Sequence, residues 1–373
     1  MNTSTPLTTP AAHASGADVA AAAAVANGFA ERIRAASAAG TPLCLRGGGS
    51  KDWYGQTPQG AVLDTRAYCG VVAYEPTELV ITVRCGTPLA EVEALLAQHG
   101  QMLAFEPPRF SAASTIGGVV ASALSGPRRA SAGAVRDFVL GAVLMDGHGT
   151  ILRFGGQVMK NVAGYDVSRL LAGSLGTLGL ILEVSLKVLP LPLCETSLRF
   201  ELGEIDALRR LNEWGGQPLP ISASCWHQGV LAVRLSGAPA AVAAAQQRMG
   251  GRALEHADAF WTALRDQSAP YFAEGCLWRL SLPPAASAII LGGEQLIEWG
   301  GAQRWLKTPG FDATQAEAIR RAVAAAGGHA TLYRSVNKPV SVFHPLAPAL
   351  ARIHQRLKDS FDPAGIFNPG RMY

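Results

Sequence analysis

Three glycine-rich segments carry residue types suited to a phosphate-bearing ligand. Arg46-Gly47-Gly48-Gly49-Ser50-Lys51 directly follows the short apolar run 43–46, which reads as a strand. Consecutive glycines let successive backbone N–H groups converge into a concavity that suits a diphosphate, although a flexible turn uses the same residues. Ser114-Thr115-Ile116-Gly117-Gly118 runs into a helical-looking stretch, 119–123. Hydroxyls and small residues at a helix start could offer unpaired N–H donors to an anion, or simply cap a tightly packed helix. Gly173-Ser174-Leu175-Gly176-Thr177-Leu178-Gly179 precedes another apparent strand. Its spaced glycines allow close backbone approach to a ligand or close packing of two elements.

Other chemistries lack their residues. No GxGxxG follows a strand to open a helix, and neither GxxxxGK[ST] nor HExxH occurs. The six cysteines (44, 69, 85, 194, 225 and 276) form no CxxC pair, which excludes the usual zinc and iron–sulfur ligand spacings and suggests free thiols. The eight histidines are isolated from one another in sequence, so no metal set and no catalytic base stands out. Net charge is only +4 with scattered Arg residues, unlike the basic stripe of a nucleic-acid binder. The longest apolar runs, 19–26 and 138–145, are about half the ~20 residues of a membrane span, so no span is expected.

Elements must position these loops. With 49% apolar and 16% charged residues over 373 positions, the chain reads as two or three folded domains. Residues 1–15 carry no basic signal-peptide region and read as a flexible start of a cytoplasmic protein; a helix follows over 18–39. Strands are expected at 43–46, 61–64, 71–75 and 79–84, then a helix opened by Thr87-Pro88 and stopped by Gly100. A hairpin over 138–154 and a long strand over 178–189 lead to Pro190-Leu191-Pro192, the expected end of a first domain spanning 16–192. Residues 193–340 alternate strands and helices as a small α+β domain with antiparallel sheet would. Residues 345–360 read as a helix with Leu346, Leu350, Ile353 and Leu357 on one face, inside a C-terminal segment 341–373.

In order and spacing, the three glycine segments resemble the FAD-binding domain of the vanillyl-alcohol oxidase superfamily, the PCMH-type fold. Gly133-Ala134-Val135-Arg136-Asp137-Phe138-Val139-Leu140-Gly141, Lys160-Asn161-Val162-Ala163-Gly164-Tyr165-Asp166 and the ending Phe361-Asp362-Pro363 with Ile366-Phe367-Asn368-Pro369-Gly370-Arg371 complete the set. Phe105-Glu106-Pro107-Pro108, Glu298-Trp299-Gly300-Gly301-Ala302 and Arg304-Trp305-Leu306 narrow the resemblance to the E-type FAD-binding subunits of bacterial glycolate oxidase. The implied fold is α+β: a two-subdomain FAD-binding domain plus a smaller cap domain, with 341–373 returning to the first.

The resemblance assigns FAD contacts to Arg46, Gly47, Gly48, Gly49 and Ser50 at the diphosphate. It places Pro107, Ser114, Thr115, Gly117 and Gly118 at the diphosphate and isoalloxazine edge. Gly176, Gly179 and Ile181 would approach the adenine half, and the Asn368 carboxamide the flavin's pyrimidine ring. Relatives with covalent flavin often carry His in the first loop; here Ser50 and Lys51 follow the glycines, so the FAD is expected to be non-covalent. Leu175 stands where Glu is commoner. The His-rich HxGDGN segment of related 2-hydroxy-acid dehydrogenases has no match here.

The implied role is therefore an FAD-binding subunit of a complex that oxidises glycolate, a small 2-hydroxy acid, to glyoxylate. A larger FAD-linked catalytic subunit and an iron–sulfur subunit would accompany it, holding the assembly peripherally at the inner membrane. The alternative is a stand-alone FAD-dependent dehydrogenase acting on another 2-hydroxy acid or alcohol through Arg279, Tyr333, Arg334 or Lys338. A fold that has lost its cofactor is disfavoured, because the retained glycines are costly in entropy. Trp299, Trp305 and Phe311 could anchor a partner or belong to the core.

Overall fold

The computed structural model describes residues 12–13, 15–156 and 166–372. The 160–165 part of the Lys160–Asp166 motif and most of the N-terminal segment lie outside the described residues. Ser15 caps the helix Gly16–Ala39 through a capping box with Asp18, and Gly40 ends it in the left-handed conformation (φ 60°). The helix buries Phe29 and Ile33 in the first core. Behind it lies a parallel pair, Leu43–Arg46 and Ala61–Asp64, bridged at Leu43 by Phe367. Beside this unit is a six-stranded antiparallel sheet. Its order is Ala12–His13, Val71–Glu75, Val80–Arg84, Leu180–Lys187, Val139–Met145, Ile151–Gly155. Val80–Arg84 is buried at every position, as expected of a central strand covered on both faces.

The expected helix after Thr87-Pro88 spans Leu89–Gln98, followed by Gly100 at φ 62°. The hairpin is Val139–Met145 with Ile151–Gly155, turned by Asp146, whose Oδ1 accepts from the N–H groups of His148 and Thr150. The long strand is shorter than expected at both ends, Leu180–Lys187: pairing with its neighbour stops at Met145–Leu180, and Leu189–Pro190 pairs instead with Gln101–Met102.

Residues from Cys194 onward build an eight-stranded antiparallel sheet. One face takes the helices Glu204–Gly215, Pro239–Met249 and Ala313–Ala325. The opposite face, with Leu277, Leu296, Trp305 and Tyr333, packs against Tyr54 and Leu124 of the first domain. Strand alternation produces this division: Trp278 and Leu280 point to the helices while Leu277 and Arg279 point the other way.

A buried charge network locks the sheet to the first domain. Arg128 donates to Glu106 (3.3 Å), Glu195 (2.7 Å) and Ser236 (3.2 Å), and Arg234 donates to Glu106 (2.8 Å). Trp299 Nε1 adds a bond to the Gly126 carbonyl (3.0 Å), and Lys338 Nζ one each to the Trp53 and Gly55 carbonyls (2.7 and 2.6 Å).

One open alternative is resolved and one expectation is refined. Trp299 and Trp305 are buried and Phe311 packs on Trp278, so these aromatics belong to the core and the domain contact. The helix Pro348–Phe361 forms, but Leu346, Leu350 and Ile353 remain exposed while Leu357 and Phe361 meet the first core. Helical periodicity reveals an apolar face without saying what covers it.

Candidate functional site

The strand Leu43–Arg46 stops where Gly47 begins a loop that folds over a groove. That groove, with a cavity volume of about 90 Å³, is lined by residues 44–52 together with Thr115, Gly118, Leu175, Asn368 and Arg371. A second groove of about 70 Å³ shares Leu45, Arg46, Gly47, Gly118, Ala121 and Leu175 with it and continues to Gly176, Gly179, Leu180 and Ile181. Together they form one continuous trough across the first domain.

Among the described residues, nothing accepts a hydrogen bond from the backbone N–H of Gly47, Gly48, Gly49, Ser50 or Lys51. These five successive donors lie in a half-buried loop that lines the groove, and are available to an acceptor arriving there. Lys51 adds a cation: its Nζ lies 3.5 Å from Ser50 Oγ and 5.8 Å from the centre of the Phe110 ring, with no carboxylate paired to it among the described residues. Burial pulls its pKa down to about 8. Unpaired amides beside a partly desolvated ammonium make a receptor for a diphosphate.

The glycines make the loop's approach possible. A Cβ on Gly48 would lie 1.5 Å from the Ala113 carbonyl oxygen, and one on Gly47 2.3 Å from Thr115 Oγ1. Arg46 spans the outside of the loop and pairs with Asp52 (2.6 Å), so it braces the cradle as well as lining it. Ser114 lies behind, buried, with its Oγ donating to Ser50 Oγ at 3.0 Å.

The structure redistributes other expected roles. Thr115 caps the short helix Ile116–Ser122, but the N–H of Ile116 is spent on Thr87 O, that of Gly117 on Cys85 O and that of Gly118 on Thr115 Oγ1. No free donors remain at that helix start; it supplies a surface. Gly117, Gly176 and Gly179 line the trough, yet an added Cβ would strike Cys85, Asn368 and Met145 respectively. These three glycines therefore allow close packing of elements as well as lining the trough. Gly118 differs, since its open side faces Thr115 Oγ1 (3.4 Å) and Lys51 Nζ (4.0 Å). Ile181 lines the trough where the Val80–Arg84 pairing has ended.

Pro107 is buried and lines neither groove. Asn368, at φ 43°, accepts from Leu45 N–H (2.8 Å) and donates to Leu175 O (2.6 Å). Its carboxamide is largely occupied in tying the C-terminal segment to the trough, leaving one N–H and one lone pair for a ligand.

Several contributors were not singled out as contacts from sequence. Lys51 follows the glycines directly, and that adjacency was the available signal. Arg371 donates to the carbonyls of Gln56 (2.6 Å), Lys51 (3.2 Å) and Asp52 (3.1 Å), pinning the loop from the far end of the chain. Leu45, Thr65, Cys85 and Ala121 give the second groove an apolar lining that suits an aromatic base, and nothing in local sequence marks them.

Residues 17–155 match the FAD binding domain family. Alkyldihydroxyacetonephosphate synthase shares the fold, with TM-score 0.63 at 14% identity over 91% of this chain and 73% of that one. The class is thus an FAD-binding flavoprotein of the PCMH type. Glycolate oxidase subunit GlcE of Escherichia coli (strain K12) is 49% identical over 344 residues, covering 92% of this chain and 96% of that protein. The chain belongs to the GlcE family of glycolate oxidase subunits. Glycolate oxidase subunit GlcD of Bacillus subtilis (strain 168) is 33% identical over 169 residues, 44% of this chain and 36% of that protein.

Two predictions follow from the cradle's chemistry. A bound diphosphate raises the Lys51 pKa above its free value of about 8. Below that pH the lysine is charged in both states and FAD affinity is level. Above it, binding must take up a proton, so the dissociation constant should climb by up to ~10-fold per pH unit. Titration of FAD by fluorescence from about pH 7 to about pH 9 checks this, and Lys51→Met should be weaker throughout and flat over that window.

The second concerns attachment. Among the described residues no histidine lines either groove, and burial raises the thiol pKa of Cys44 and pushes that of Cys85 up to about 12. Protonated buried thiols are poor nucleophiles. Acid precipitation should leave the flavin in the supernatant; fluorescence retained by the pellet would show a covalent link instead.

Proposed function

We propose that the chain is the FAD-carrying subunit of a complex that oxidises glycolate to glyoxylate, acting beside a larger flavoprotein and an iron–sulfur subunit. Likeness to a glycolate oxidase subunit along nearly the whole chain carries the reading. The partial match to a second glycolate oxidase subunit supports a shared assembly, with the larger flavoprotein as the GlcD-like partner. Bound FAD supplies a two-electron acceptor for the hydride leaving C2 of a 2-hydroxy acid. This chain's residues do the holding: the amides of Gly47–Lys51 and the Lys51 ammonium bind the diphosphate. Arg46, Asn368 and Arg371 fix the loop, and Leu45, Ala121 and Ile181 exclude water from the far end of the trough. No base for the substrate hydroxyl is assigned here, and the sequence carries no HxGDGN segment, so the partner is assigned the main substrate site.

Among the described residues no helix is long and apolar enough to cross a membrane. Membrane association in this reading is peripheral, through partners, with the chain itself on the cytoplasmic side.

The stand-alone alternative loses most of its residues to structural tasks. Tyr333 is buried and accepts from Gln267, Arg334 donates to Phe272 O and Gln267, and Lys338 holds the Trp53 and Gly55 carbonyls. The test adds glycolate anaerobically to the purified flavin-loaded chain, then to the chain co-purified with its two partners. Bleaching of the flavin only in the assembly is the expected result; fast bleaching of the isolated chain would establish an independent dehydrogenase.

A further inference from the structure

We propose that the cavity between the cap sheet and the helix Pro348–Phe361 binds a monocarboxylate with an apolar body considerably larger than a two-carbon acid. It encloses about 680 Å³, well within the range of small-molecule sites, and it is separate from the FAD trough. Its two walls differ in chemistry. The sheet side presents Arg279 and Ser281 from one strand and His329 and Thr331 from its neighbour, all on one face. The helix side presents Leu346 and Leu350, with Phe343 and Met372 beside them.

The polar wall is built to receive an anion. Arg279 Nε donates to Gln303 Oε1 (2.8 Å), and Gln303 Nε2 donates to the buried Glu298 (3.0 Å), so the guanidinium is held from behind. Its plane lies 5.4 Å from the Trp299 ring, whose other neighbour is a second guanidinium, Arg129, at 4.5 Å. None of the residues lining the cavity is acidic, and the carboxylate that feels the Arg279 charge, Glu298, is buried behind Gln303. His344 Nδ1 takes the Ala330 N–H at 3.5 Å, which leaves the other ring nitrogen for the cavity. Arg279 also hydrogen-bonds the Tyr54 hydroxyl on the cavity wall, and its remaining N–H groups, beside the two imidazoles, suit a carboxylate.

The apolar wall selects the rest of the ligand. Leu350 and Leu346 are 43% and 38% exposed, a residual exposure that a hydrocarbon chain lying along the helix would remove. Glycolate has no such chain and would leave most of the cavity wet. The inference concerns ligand chemistry and stands whether or not the chain works within a complex.

Octanoate is a suitable probe, with octan-1-ol lacking the charge and glycolate lacking the chain. Titration of the full-length, FAD-loaded protein by calorimetry, with tryptophan fluorescence reporting on Trp299, should show octanoate binding at least ~10-fold more tightly than either control. Arg279→Gln should reduce octanoate to the level of octanol. Leu350→Glu, at an exposed position, should weaken octanoate by a similar factor and leave the flavin spectrum unchanged, which guards against misfolding of the first variant. Octanoate binding no better than octanol or glycolate, or surviving both substitutions, would overturn the proposal.

Discussion

Gly48→Ala is expected to emerge from purification without flavin and to bind added FAD ~10²–10⁴-fold more weakly than the native chain. The new methyl carbon would sit 1.5 Å from the Ala113 carbonyl oxygen and 2.9 Å from the Ala113 side chain. Neither contact can be relieved by a rotamer change, because one partner is backbone, so the loops at 47–51 and 111–114 must separate. The amides of that loop then no longer converge. Two lost hydrogen bonds to a charged ligand are worth about 3–6 kcal/mol, which is the stated range of affinity. Overpacking adds about 1–3 kcal/mol of lost stability. Gly28→Ala is the matched control: it lies inside the helix Gly16–Ala39 with nothing near its added methyl, and should stabilise the fold by about 0.5–1 kcal/mol. Flavin titration and urea denaturation of both variants measure the contrast. Full FAD binding by the Gly48 variant would remove the cradle from the account.

Lys358→Met should cost about 3–5 kcal/mol of folding stability and weaken FAD binding as well. Lys358 Nζ donates to Asp362 Oδ2 (2.5 Å), Thr177 O (2.7 Å) and Phe367 O (2.9 Å), all out of water. Removing the ammonium leaves the Asp362 carboxylate buried and uncompensated, which is the expensive way to break such a pair. Adding Asp362→Leu should recover only part of the loss. That carboxylate also accepts from the N–H groups of Ile366 (3.1 Å) and Phe367 (2.8 Å), which the double variant abandons. The coupling to FAD follows from position. Lys358 holds the segment that carries Asn368 onto Leu45 and Arg371 onto the loop at 51–56. A loss below about 1 kcal/mol in urea would mean that the pair behaves like a surface ion pair.

The glycine run could be read as a candidate anion-binding loop because the requirement is local: a strand, then residues without side chains, then amides with no partner. The same local reading misjudged the start of the helix Ile116–Ser122. Whether its N–H groups are free depends on Thr87 and Cys85, which lie about thirty residues upstream. It likewise said nothing of Asn368 and Met145, against which Gly176 and Gly179 pack. Trp299 and Trp305 looked like either anchors or core, and only the opposing first domain shows them buried.

By itself, the sequence determined the α+β alternation, the glycine loops, their order along the chain and hence the family and its cofactor. These properties depend on backbone sterics and periodicity within a few residues. Tertiary structure alone decided that Lys51 stands as a partly buried cation without a carboxylate, that Arg371 and Lys358 carry the C-terminal segment back onto the loop, and that the cap sheet and the last helix enclose a second cavity. Charge, burial and enclosure are set by what the fold brings near, and residues more than 300 positions apart, such as Leu45 and Asn368, meet only when the whole chain has closed.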